Sequence, residues 1–194
     1  AMSSAASDVY KRQTFYDILK ITNKPLVATH SSPRKFTPNF ERNMSDNMIK
    51  DLASNNGLIM LNFGSGFISE QSNKSFGDIN SKVEKYKIEN NLKDSDKKIL
   101  KYKDDLINTV KPFASINDFV DTIDHVKDLV GIDHIGLGSD FEGLGNTLPY
   151  DLKDASTYPN ILYKLLEREY SQIEIKKICS DNLFRVWNAN LQNC

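Results

Sequence analysis

Three short stretches decide what this chain can fold into. Leu26-Val27-Ala28, Leu58-Ile59-Met60-Leu61 and Ile135-Gly136-Leu137-Gly138 are apolar without alternation, and helix-forming segments separate them. A strand that is apolar at successive positions buries both faces, as parallel strands of α/β structures do; an antiparallel strand with one wet face alternates instead. The stretches also end alike, in His30, Asn62 and Asp140. In parallel α/β folds, binding and chemistry sit at the carboxyl ends of the strands, so these three residues are the first candidates for function.

The helices between the strands have readable limits. Phe15, Ile18 and Leu19 recur at helical spacing, which predicts a helix over 14–22, stopped by Asn23-Lys24-Pro25. Ser45 is placed to cap a helix over 46–54, and Asn55-Asn56-Gly57 to end it. Ser115 caps a helix over 116–130. Helices over 159–169 and 171–188 close the chain, with Leu183, Phe184 and Trp187 assigned to the core by their spacing. Residues 1–12, Ala1-Met2-Ser3 onward, read as an unrelated leader, and 13–194 as the folded unit.

Residues 70–111 differ in kind. Lysine and acidic residues alternate closely, with sparse anchors such as Val83, Tyr86, Ile99 and Leu106. The mixed signs predict one or two solvated helices inserted into the fold and argue against a nucleic-acid surface. The formal net charge of -1 agrees, since it creates no field that would draw the chain to nucleic acid. No apolar run approaches the ~20 residues of a membrane span. Two cysteines, Cys179 and Cys194, exclude a disulfide framework.

Each candidate suggests a chemistry. Neutral imidazole is a good metal ligand, which fits His30, and a strand-end carboxylate suits a ligand or a general base, which fits Asp140. Asn62 is placed to meet substrate or to tie a turn. Arg42, in the loop after His30, offers a planar guanidinium that can clamp a carboxylate through paired hydrogen bonds. His125 falls on a helix face among charges and reads as solvated. His134 precedes its strand, at the wrong end for catalysis. Gly136, Gly138 and Gly143 form no dinucleotide fingerprint, because no helix opens directly after them. A doubly wound sheet and a (β/α)₈ barrel both fit this order of elements. A complete barrel takes ~250 residues and eight strands, so three strands would be part of one.

Several ordered motifs resemble the membrane (renal) dipeptidase family of zinc peptidases. They are Thr29-His30-Ser31-Ser32, Glu41-Arg42-Asn43, Leu61-Asn62-Phe63, the run from Asp133 to Gly143 (Asp-His-Ile-Gly-Leu-Gly-Ser-Asp-Phe-Glu-Gly), the run from Leu152 to Asn160, and Asp181-Asn182-Leu183-Phe184-Arg185-Val186. The resemblance covers about 14–188. It implies the C-terminal part of a (β/α)₈ barrel of the amidohydrolase type and dipeptide hydrolysis at a two-zinc site. By position it makes His30 a zinc ligand, Arg42 the holder of the substrate carboxylate and Asp140 the group that handles the proton. The family's His-x-Asp pair and bridging glutamate have no counterpart here, and Val9 stands where a further zinc histidine belongs. The resemblance therefore predicts a metal site that is incomplete or empty in this chain alone, and an isolated chain without activity. A non-catalytic half-barrel and another metal-dependent amidohydrolase are the alternatives. The open edges of a partial barrel predict self-association.

Overall fold

The computed structural model describes the backbone of residues 4–191 and the side chains of residues 13–191. The side chains of the whole expected leader, 1–12, and of Cys194 lie outside the described residues. The sheet has three parallel strands, β1 (Val27–Ser31), β2 (Leu58–Leu61) and β3 (Ile135–Leu137), in that spatial order. Ile59 lies opposite Ile135, and Leu61 opposite Leu137. The third strand is shorter than its sequence suggests, and the chain leaves the ladder before Asp140.

In chain order the helices are α1 (Ser4–Ile21), α2 (Asp46–Ser54), α3 (Ser65–Ile68), α4 (Glu70–Glu89), α5 (Lys97–Val110), α6 (Ile116–Val130), α7 (Phe141–Leu144), α8 (Tyr158–Glu167), α9 (Gln172–Lys176) and α10 (Asn182–Leu191). The limits of α2 and α6 fall where their caps predict. Ser45 Oγ accepts the Met48 N–H, and Ser115 forms a reciprocal box with Asp118. The single helix expected over 171–188 is instead two, joined by a π-turn at Lys177–Asp181. The charged stretch is a hairpin of α4 and α5, with Tyr86 stacked on Tyr102 and its own small core of Phe76, Ile79 and Ile107.

One face of the sheet builds the main core. Ile59, Leu61 and Ile135 pack with Ile49 and Leu52 of α2, Phe119 and Ile123 of α6, and Ile161 and Leu165 of α8. Burying a large aliphatic or aromatic side chain contributes ~1.5–3 kcal/mol, so this layer supplies the main drive for folding. Leu58, Met60 and Gly136 share the opposite face. Asn182, buried in α10, donates both amide hydrogens to backbone carbonyls, of Ile132 and Ile135 (2.8 Å each), and so ties the last helix to β3.

Two expectations about side chains change as well. Phe184 and Trp187 are 61% exposed rather than in the core; Val186 and Asn182 supply the buried face of α10. His125 is not solvated. Its Nε2 donates to Asp46 (2.9 Å), its Nδ1 accepts from Lys35 (3.2 Å), and its ring meets Phe36 edge-on.

Candidate functional site

His30 owes its orientation to an irregularity in β1. Ala28 lies opposite Ile59, but Ser31 lies opposite Leu61, so β1 holds one residue more than β2 over this interval. Such a bulge interrupts the ladder and re-aims side chains. Thr29 and His30 are both exposed here, and Thr29 Oγ1 bonds His30 Nδ1 at 2.8 Å. With Nδ1 engaged, Nε2 is the nitrogen left for a ligand.

The loop that follows is closed on itself. The Arg34 N–H donates to the Met44 carbonyl (2.8 Å), and the Met44 N–H to the Ser32 carbonyl (2.9 Å). Arg34 also donates through Nε and Nη2 to the Asn43 carbonyl (2.9 and 2.7 Å). Asn43 is buried, and its amide donates to Thr37 Oγ1 (2.6 Å) and the Phe67 carbonyl (2.7 Å). Arg42 is thus carried by a backbone pinned beside it. Its guanidinium is exposed, sits 5.5 Å from the Phe67 ring centroid, and forms no ion pair with a described residue. Arg42 and His30 line one pocket of about 190 Å³, with Ala28, Thr29 and Ser31 as its remaining wall.

Asp140 is placed by a different set of bonds. It stands at the start of α7 with φ 56° and ψ 35°, a left-handed conformation that aspartate tolerates better than most residues. Non-glycine residues in this region carry ~1–3 kcal/mol of strain and cluster at functional sites. Asn62 is fully buried. Its Nδ2 donates to Asp140 Oδ2 (3.2 Å), and its Oδ1 accepts the Gly64 N–H (2.7 Å). Asn62 therefore faces Asp140 rather than solvent. A Cβ on Gly143 would collide with the Asp140 carboxylate, so glycine there leaves the acid its room. Gly138 does the same for the strands, because a Cβ would press on the Thr29 carbonyl and lie 2.7 Å from that of Met60.

The structure brings the four candidates together as two pairs, His30 with Arg42 and Asn62 with Asp140, all at the carboxyl end of the sheet. His134 lies at the other end and donates through Nδ1 to the Gly57 carbonyl (2.8 Å). The sequence reading gave no role to Arg34, Asn43 or Phe67. Their signal was weak, since Arg34 and Asn43 act by closing a loop of irregular backbone, which has no periodicity to read, and Phe67 acts on Arg42 and Phe40 from the segment after the next strand. Among the described residues no group of three or more His, Cys, Asp or Glu side chains is close enough to hold a metal ion. No described helix is long and apolar enough to cross a membrane.

Comparison with known proteins identifies the family and the fold. The sequence model of the membrane dipeptidase family (peptidase family M19) matches residues 6–193, and the chain belongs to that family of hydrolases. It is 30% identical over 176 residues to an uncharacterized dipeptidase of Schizosaccharomyces pombe, an alignment covering 90% of this chain and 33% of that protein. Among solved structures it is similar to a metallo peptidase from Rhodobacter sphaeroides liganded with a phosphinate mimic of the dipeptide L-Ala-D-Ala. That match has a TM-score of 0.65 at 22% identity and covers 90% of this chain and 39% of the other. The probable dipeptidase PvdM from Pseudomonas aeruginosa matches with a TM-score of 0.70 at 24% identity, covering 91% and 47%. The three parallel strands and their helices are thus part of a (β/α)₈ barrel, and the chain spans about a third to a half of the length of these relatives.

Proposed function

We propose that this chain carries one wall of a dipeptide-hydrolysing site. The observation that supports it most is the pocket shared by His30 and Arg42 at the end of a bulged strand. Arg42 binds the carboxylate of a dipeptide through its paired N–H groups, with no carboxylate of the described protein competing for them. Asp140 moves the proton of the reaction, and Asn62 fixes which way its carboxylate points. His30 would offer one imidazole to a metal, through the Nε2 that its Thr29 contact leaves for a ligand. Metal, generally zinc, is implied by the family, but the described donors do not fit it by themselves: no three His, Cys, Asp or Glu side chains group together among the described residues. That same shortage favours a second reading, a non-catalytic half-barrel that keeps the fold alone.

The two readings separate by experiment. The chain alone, and the chain assembled with the barrel strands that its longer relatives carry, are assayed for zinc by elemental analysis and for hydrolysis of simple dipeptides. The proposal expects no stoichiometric zinc and no turnover in the chain alone, and both in the assembly. An assembly that folds, binds zinc and hydrolyses no dipeptide favours the module.

A further inference from the structure

A second, larger pocket lies at the same end of the sheet. Its volume is about 310 Å³; Phe40, Phe67 and Phe76 make an apolar wall, Gly66 and Gly77 leave space between them, and Asn73, Asn80 and Thr147 form the polar remainder. Each contributing segment follows a different part of the site. Phe40 belongs to the loop that carries Arg42, Phe67 and Gly66 follow β2, and Phe76 and Gly77 lie on α4. Phe67 is the link, because the ring that lines this pocket is the one beneath the Arg42 guanidinium. Phe40 holds it from the side, edge to face, at 5.0 Å between centroids.

We infer that this pocket receives the side chain of the substrate residue whose carboxylate Arg42 binds, and that it selects an apolar, preferably aromatic, side chain. The inference rests on the proposed role of Arg42 and adds the specificity of the site. Its size is sufficient: a dry cavity of about 150 Å³ holds a benzene ring. Its chemistry is suitable too, since aromatic side chains prefer edge-to-face or offset neighbours, and Phe40, Phe67 and Phe76 offer both edges and faces. A carboxylate fixed at Arg42 and a ring beside Phe67 are the two ends of one residue.

The test needs neither metal nor turnover, and uses the chain as it is. N-acetyl-L-phenylalanine and N-acetylglycine, which share the carboxylate and differ in the side chain, are titrated and followed by NMR. The phenylalanine probe is expected to bind at least tenfold more tightly. Gly77→Leu fills the pocket from α4; a Cβ at Gly77 meets nothing within 4 Å, and leucine favours the helix more than glycine does. Gly66→Val fills it independently, its Cβ meeting only ordinary contacts near 3.8 Å. In either variant the ratio between the two probes is expected to collapse towards one. Equal binding of both probes, weakened by Arg42→Lys, would overturn the pocket and leave the Arg42 reading standing. Preference for the aromatic probe that is indifferent to Arg42→Lys would overturn the pairing through failure of the Arg42 reading. If neither probe binds, both are overturned.

Discussion

Replacing Asn62 with alanine removes the two bonds that connect the end of β2 to Asp140. The Asn62 amide is fully buried, accepts the Gly64 N–H at 2.7 Å and donates to Asp140 at 3.2 Å. Leaving the Gly64 N–H without an acceptor costs ~1–3 kcal/mol. The bond to Asp140 is charge-assisted but long, and Asp140 is only half-buried, so water replaces part of it and its loss costs about 1 kcal/mol. The expected destabilisation is about 2–4 kcal/mol, against the ~5–15 kcal/mol that holds a typical domain. In urea, with a slope of ~2 kcal/mol/M, the unfolding midpoint should fall by roughly 1–2 M without loss of cooperativity. Asn62→Asp keeps an acceptor for Gly64 but sets a second carboxylate against Asp140, so it isolates the second bond. A double-mutant cycle with Asp140→Ala should give a coupling of about 1 kcal/mol. If Asn62→Ala unfolds within 0.5 kcal/mol of the parent chain, or the coupling is zero, Asn62 does not hold Asp140 and its assignment as a positioning residue is wrong, since neutral surface substitutions fall within about 0.5 kcal/mol.

Three further outcomes are expected. Gly138→Ala presses a methyl group on the carbonyls of Thr29 and Met60, and should lower stability by ~2 kcal/mol or more, read by thermal denaturation, because backbone cannot give way as a flexible side chain does. Glu174, paired with Lys127 at 2.7 Å and accepting from Ser171, has its pKa lowered from 4.5 to about 2. A depressed carboxylate stabilises above its unfolded pKa and loses that contribution as pH falls through its folded pKa, so the difference in urea stability between the parent and Glu174→Gln should be constant above pH ~5 and shrink between ~4.5 and ~2. Exposed Phe184 and Trp187, with the open edge at β1, should make the chain associate as concentration rises; sedimentation should show Trp187→Lys shifted towards monomer, and equal masses for both chains would count against that surface.

The parts of this structure that are local were legible in the sequence. Continuous apolar runs located all three strands and their parallel sense, and Ser45 and Ser115 located two helix starts, because a cap is a contact across a few residues. What stayed hidden depends on distance along the chain. His125 looked solvated among its neighbours, yet its partner Asp46 is 79 residues away. Asn62 and Asp140, 78 residues apart, could be seen at two strand ends but not as a bonded pair. Phe184 and Trp187 lie on one helical face, and periodicity defines a face without saying what covers it. The bulge that turns His30 outward arises from pairing with β2, which no pattern within β1 reveals.

In the proposed site His30, Arg42 and Asp140 divide the labour, and the most direct measurement takes zinc content and kinetics together for three variants of the assembled barrel. His30→Ala should lose zinc along with turnover. Asp140→Asn should keep the metal and lose kcat by ~10²-fold or more, the usual cost of a missing acid–base group. Arg42→Lys should keep the metal and lower kcat/KM, since the charge remains but the planar fork is gone. Three separate signatures are the predicted result; loss of zinc in Asp140→Asn, or unimpaired dipeptide hydrolysis in Arg42→Lys, would contradict it.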